Sequence, residues 1–81
     1  MFYILTKDNC SWCEKVKELI TDLGETYKEL NIKDSPIVVL LVKKAGLTTV
    51  PQIWVDTPEG KEYLGGCLEL IEWIKESQVN D

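Results

Sequence analysis

Phe2-Tyr3-Ile4-Leu5-Thr6-Lys7-Asp8-Asn9-Cys10-Ser11-Trp12-Cys13 is the stretch that decides how this chain folds. Phe2 to Thr6 is short, rich in aromatic and β-branched residues, and bounded by Lys7-Asp8-Asn9, which predicts a buried strand. Asp8 or Asn9 is then placed to cap a helix. Val16, Leu19, Ile20 and Leu23 follow at i, i+3, i+4 and i+7, with Glu14, Lys15, Lys17, Glu18 and Asp22 opposite. That pattern predicts an amphipathic helix of about three turns, with Gly24 as its C-terminal stop. Cys10 and Cys13 fall on one face of the opening turn, a spacing that puts Cβ atoms about 5–6 Å apart. A disulfide needs only a small adjustment from there, so the pair can cycle between dithiol and disulfide without rearranging the fold. As a structural staple it would be weak: loop entropy gives roughly 2 kcal/mol for a four-residue ring, against about 4.7 kcal/mol for a hundred-residue loop. Electron transfer is a better reading of this pair than a chance meeting of two buried cysteines.

Working outward, Thr26 to Ile32 alternates apolar and polar residues and predicts a second strand. Ile37 to Val42 has strand propensity, but Ser35-Pro36 reads as a cap with proline at the first helical position, and Lys43-Lys44-Ala45-Gly46 as a helix ending. The segment is therefore expected to be helical. Gln52 to Val55 predicts a strand, Asp56 to Gly60 a turn, and Glu62-Tyr63-Leu64 its hairpin partner, broken by Gly65-Gly66. Leu70, Ile71 and Ile74 mark a last amphipathic helix from about Cys67 to Ser77. The sum is an α/β chain, β-α-β-α-β-β-α, with a four-stranded mixed sheet flanked by helices. Strands 1 and 2, joined by a helix, should be parallel, and strands 3 and 4 an antiparallel hairpin.

Composition narrows the chemistry. Residues 1–81 form one domain with a small core, to which three tryptophans, three tyrosines and one phenylalanine contribute. Fourteen acidic residues against nine basic ones, all nine lysines, leave a net charge of −5. That is a poor footprint for phosphate backbones, so nucleic-acid binding is not expected. The longest apolar run, Ile37 to Val42, has six residues, too few to span a bilayer. Met1 leads into the first strand with no basic n-region, and three cysteines do not make a secreted disulfide framework. A cytoplasmic setting, where thiols stay reduced, is the expectation. There is no histidine, which removes histidine bases, histidine metal ligands and Cys-His pairs together. The chemistry belongs to the cysteines.

Four motifs now stand in order: Lys7 three residues before the first cysteine, Cys10-Ser11-Trp12-Cys13, Thr49-Val50-Pro51, and Gly65-Gly66-Cys67. With the element pattern, they resemble the glutaredoxin family, of the small dithiol type, on the thioredoxin fold. The resemblance runs over nearly the whole chain. It implies a glutathione-dependent disulfide oxidoreductase acting on protein disulfides and glutathione mixed disulfides, as a monomer, with no metal required. Ribonucleotide reductase is the acceptor suggested by family analogy.

Each motif also has its own chemistry. An unperturbed cysteine near pKa 8.5 is only slightly ionised at neutral pH, and a helix N-terminus stabilises the thiolate. Cys10 is thus the expected nucleophile, with Lys7 adding positive charge, and Cys13, one turn deeper, the resolving thiol. Val50-Pro51 is similar to the family's cis-proline loop, where an extended peptide pairs with the backbone of Val50 as an added strand. On its own, Pro51 reads equally well as a proline entering an edge strand. Gly65-Gly66 permits close backbone approach, and the following helix start is an anion site, though an ordinary hairpin exit would use the same glycines. The resemblance implies that glutathione's γ-glutamyl carboxylate docks beside Gly66 on the amides of Cys67 and Leu68, with Glu69 meeting its ammonium. Trp12, in the place usually held by tyrosine, is expected to stack on the substrate. Cys67 has packing at the helix start as its main expected role.

Three positions depart from the family pattern. Ser11 replaces a common proline, and relatives with serine there include forms that hold an iron–sulfur cluster between two subunits with glutathione. Leu68 replaces an acidic or hydroxyl residue. Val38 falls where a glutamine or arginine often meets glutathione's glycyl carboxylate, leaving Lys7 as the main basic contact. These departures keep open two alternatives: a redoxin reduced by a flavoprotein thioredoxin reductase, and a glutathione-ligated cluster carrier.

Overall fold

The computed structural model describes residues 1–46 and 49–79, and among these not the side chains of Val38, Leu41, Val42, Gln78 and Val79. The expectation for Val38 therefore lies outside the described residues. Along the chain come β1 (Phe2–Thr6), α1 (Ser11–Asp22), β2 (Tyr27–Asn31), a 3-10 turn (Ile32–Asp34), α2 (Pro36–Lys44), β3 (Gln52–Thr57), β4 (Gly60–Gly65) and α3 (Cys67–Val79). The strands form one mixed sheet in the order β2-β1-β3-β4. The helical crossover through α1 makes β1 and β2 parallel, with Phe2 opposite Tyr27 and Thr6 opposite Asn31. β3 runs antiparallel to β1, Ile4 facing Ile53, and β4 antiparallel to β3. The β3–β4 turn at Pro58-Glu59 is closed by the Thr57 hydroxyl, which donates to the Gly60 carbonyl at 2.9 Å.

One face of the sheet carries the core. Side chains alternate across a strand, so Phe2 and Ile4 of β1 point the same way as Ile53 and Val55 of β3. They pack on Val16 and Ile20 of α1 and on Cys67 and Leu70 of α3. Trp73 of α3 meets Phe2 edge-on, ring centroids 5.6 Å apart, a favoured aromatic geometry. α1 ends as its glycine predicts. Gly24 takes φ +76°, and its N–H and that of Glu25 donate back to the carbonyls of Thr21 and Ile20 at 2.9 and 3.2 Å, which satisfies the last turn.

Two local expectations are corrected. The N-cap of α1 is Cys10, not Asp8 or Asn9. Asn9 turns the chain at φ +54°, a conformation asparagine tolerates. The Asp8 carboxylate instead accepts from Asn31 and Lys33 across the β2 end. The second strand also stops at Asn31, because Ile32 enters the 3-10 turn. The ambiguous Ile37–Val42 run is helical, within α2.

The register decides where the site lies. Leu5 at the end of β1 faces Gln52 at the start of β3, and Gly65 at the end of β4 faces Ile53. The start of α1, the loop before β3 and the start of α3 therefore gather at one end of the sheet.

Candidate active site

At the start of α1 a sulfur does the work usually done by a hydroxyl or carboxylate. Cys10 sits in an extended conformation at the N-cap, and its Sγ accepts a hydrogen bond from the Cys13 backbone N–H at 3.2 Å. Cys10 and Cys13 are joined as a disulfide, with Cα atoms 5.2 Å apart, inside the range such a bond requires. Cys10 is half-buried, whereas Cys13, one turn on, is 1% exposed. Trp12 stands between them with 55% of its surface open. Lys7 is exposed beyond the end of β1.

The loop before β3 carries the Val50-Pro51 peptide in cis. Pro51 is buried and Val50 half-buried. Gln52 follows, 5% exposed. Its Nε2 donates to the Thr49 carbonyl at 2.7 Å and to the Thr49 hydroxyl at 3.3 Å, and its Oε1 accepts from the Tyr63 hydroxyl. Tyr63 is in turn packed against Trp54 of β3, ring centroids 5.3 Å apart. Sequence reasoning missed this network. The available signal was a lone amide directly after the proline, in a strand that otherwise reads Ile53-Trp54-Val55.

At the start of α3 the Glu69 carboxylate reaches back one turn and accepts from the Gly66 N–H at 2.8 Å, the reciprocal half of a capping box. Gly65 makes room for it: φ is +117°, and a Cβ there would lie 2.8 Å from Glu69 Cγ. Cys67 is 5% exposed. Burial pushes its thiol up and Glu69 adds to the effect, against an opposing pull from Lys15. The thiol is accordingly protonated at neutral pH, a poor nucleophile.

Between these elements runs an open groove of about 200 Å³ lined by Trp12, Thr49, Val50, Pro51, Gly66, Cys67, Leu68 and Glu69. It brings together every expected glutathione contact except Lys7, which is not part of its wall. Glu69 lines the groove while its Oε1 accepts from the Gly66 N–H, and Leu68 is 62% exposed. A wider hollow of about 580 Å³ between β4 and α3 carries Glu62, Glu69, Glu72 and Glu76. Trp12, which stands between the redox cysteines, and the Val50-Pro51 peptide line the smaller groove and not this hollow, so the chemistry belongs to the smaller groove.

The glutaredoxin family profile matches residues 3–58, which include the cysteine pair and the cis-proline loop. The chain belongs to the glutaredoxin family. Glutaredoxin 3 of Escherichia coli K12 is 35% identical over 68 residues, covering 83% of this chain and 77% of the relative. The structure of reduced Escherichia coli glutaredoxin superposes with a TM-score of 0.70 at 30% identity, covering 93% of both chains. The buckwheat glutaredoxin–glutathione complex has the same fold, with a TM-score of 0.75 at 24% identity, covering 94% of this chain and 69% of the other. This glutaredoxin is thus a glutathione-dependent disulfide oxidoreductase on a thioredoxin-like α/β fold, and Cys10–Cys13 is its redox-active pair. No helix among the described residues is long and apolar enough to cross a membrane.

Proposed function

We propose that this glutaredoxin is a cytoplasmic monomer that reduces protein disulfides and glutathione mixed disulfides through Cys10 as nucleophile and Cys13 as resolving thiol. The observation that carries the assignment is the Cys10 sulfur at the N-cap of α1, bonded to the Cys13 N–H, beside a Cys13 that is almost wholly covered. The positive end of a helix lowers a thiol's pKa, and only the half-buried sulfur is open to a bulky disulfide. The Cys10 thiolate attacks one substrate sulfur, the other leaves as a thiolate, and a mixed disulfide remains. Cys13 then gives up its proton and attacks the Cys10 sulfur, displacing as a thiolate the substrate sulfur still bonded to it and closing the Cys10–Cys13 disulfide. Two glutathione molecules return the two electrons and end as glutathione disulfide. On a glutathione mixed disulfide the first step leaves glutathione on Cys10, and a second glutathione can resolve it without Cys13.

In this reading the cysteinyl part of glutathione lies along Val50 and Pro51 and under Trp12. The γ-glutamyl carboxylate meets the amides of Cys67 and Leu68 beside Gly66, Glu69 meets its ammonium, and Lys7 its glycyl carboxylate. Ribonucleotide reductase is one acceptor of the kind such a dithiol serves. One observation favours a second reductant, a flavoprotein thioredoxin reductase: Leu68 presents an exposed apolar side chain at the γ-glutamyl end of the groove. A coupled assay decides between them by supplying either glutathione with glutathione reductase or thioredoxin reductase alone. Turnover with glutathione at millimolar concentration is expected; turnover with thioredoxin reductase alone would promote the second reading.

A further inference from the structure

We propose that Gln52 is a positioning residue for the disulfide-reductase reaction: its buried carboxamide, held in place by Tyr63, fixes the Thr49–Val50 peptide so that the Val50 N–H faces the substrate backbone. The inference rests on the reading that the cysteinyl part of the substrate lies along Val50.

The geometry starts from what each group can accept. The Thr49 carbonyl can only accept, so the Gln52 atom 2.7 Å away is necessarily the Nε2 donor. Oε1 then points the other way, where it accepts from the Tyr63 hydroxyl. The carboxamide has one usable orientation, and three hydrogen bonds hold it there. At 5% exposure, water is a poor substitute for any of them, and a buried amide group left unpaired is costly.

The Thr49 carbonyl belongs to the same planar peptide unit as the Val50 N–H. In a trans peptide the two point in opposite directions. Anchoring the carbonyl on Gln52, which does not line the groove, therefore turns the Val50 N–H toward the side that does. The groove wall is consistent with this: it contains Thr49, Val50 and Pro51 but not Gln52. A hydrogen bond to a peptide carbonyl also polarises the unit and strengthens its N–H as a donor. Tyr63 keeps its proton for this purpose, since burial and the Glu69 charge both push its hydroxyl up. The chain of contacts runs from Tyr63 on β4, through Gln52 on β3, to Val50, and none of its first two members needs to touch substrate.

The test compares two oxidants of the reduced protein by stopped flow: a glutathione mixed disulfide, which offers a peptide backbone to Val50, and 2-hydroxyethyl disulfide, which has none. Gln52→Met keeps the side chain's length and removes its donor. It should slow the first reaction about five- to tenfold, the worth of one hydrogen bond, and leave the second unchanged. The pH profile of Cys10 alkylation should not move. Tyr63→Phe should change the same ratio in the same direction by a smaller factor. Because Tyr63 is 46% exposed, this variant carries the test even if Gln52→Met fails to fold. An unchanged ratio in the folded variants, or equal slowing of both reactions, overturns the role of Gln52 while leaving the reaction itself in place. A wild-type protein with no preference for the glutathione mixed disulfide would instead overturn the Val50 docking reading, and this proposal with it.

Discussion

α1 and α3 each begin beside the same groove with a cysteine in their opening residues, and the two cysteines have opposite chemistry. At α1 the cysteine is the N-cap itself: its sulfur is half-buried and takes a hydrogen bond from the helix's own Cys13 N–H. At α3 the cap is Gly66, the cysteine is one position further on at 5% exposure, and a carboxylate from Glu69 sits on the free amide. Both helices carry the positive end of a dipole. What differs is whether sulfur or carboxylate receives it, and how much water reaches the thiol. A helix N-terminus therefore does not activate a cysteine merely by being close. The sulfur must be the group that takes up the unpaired N–H, and it must stay accessible.

The largest effect that could break this comparison is removal of the capping sulfur. Cys10→Ser should lose several orders of magnitude of disulfide-reductase activity, as loss of a catalytic nucleophile does. Cys13→Ser should lose reduction of protein disulfides yet keep activity on glutathione mixed disulfides. The reverse pattern in steady-state assays would exchange the two roles. Next comes thiol reactivity in the reduced protein. Cys10 should titrate well below 8.5, while burial and Glu69 hold Cys67 above its ordinary value. Alkylation near pH 7, followed by peptide mass mapping, should modify Cys10 roughly ten- to a hundredfold faster than Cys67. Comparable rates would mean that the two helix starts are chemically alike after all.

A smaller effect sharpens the α3 side. Glu69→Ala removes the carboxylate from Gly66 and should cost about 0.5–1 kcal/mol in urea unfolding. The Cys67 thiol should titrate lower in the same variant, since Glu69 is one of the influences raising it. The smallest effect concerns how α1 is held while its first turn serves sulfur chemistry. Lys17 of α1 bridges to Glu29 of β2 at 2.8 Å, and Thr6 donates to the same carboxylate at 2.6 Å. These bonds hold Glu29 below its ordinary value of 4.5. Its contribution to stability is therefore present above that ordinary value and is lost as pH falls through the lower folded value. Glu29→Gln should remove that part of the acid-side slope and lower stability near neutral pH by about 1 kcal/mol or less. Thermal melts of both proteins between pH 3 and 7 would show it, and parallel curves would count against the bridge.

The order of elements, the parallel pairing of β1 with β2, the antiparallel β3–β4 hairpin and the redox pair were legible in the sequence by itself. Each follows from short-range regularities: the i, i+3, i+4, i+7 run from Val16 to Leu23, the single helix between strands 1 and 2, and the three-residue step from Cys10 to Cys13. Helical Ile37–Val42 was legible too, because Ser35-Pro36 and Gly46 outweigh its β-branched composition. Only the tertiary structure decided which residue caps α1, since Asp8 is drawn away by Asn31 and Lys33 from β2 and the turn that follows it. Only tertiary structure tied Gln52 to Tyr63, a residue on the neighbouring strand. The physical reason is the same in each case. Periodicity reports which face of an element is apolar, whereas the partner of a polar side chain depends on what the folded sheet brings within hydrogen-bond distance.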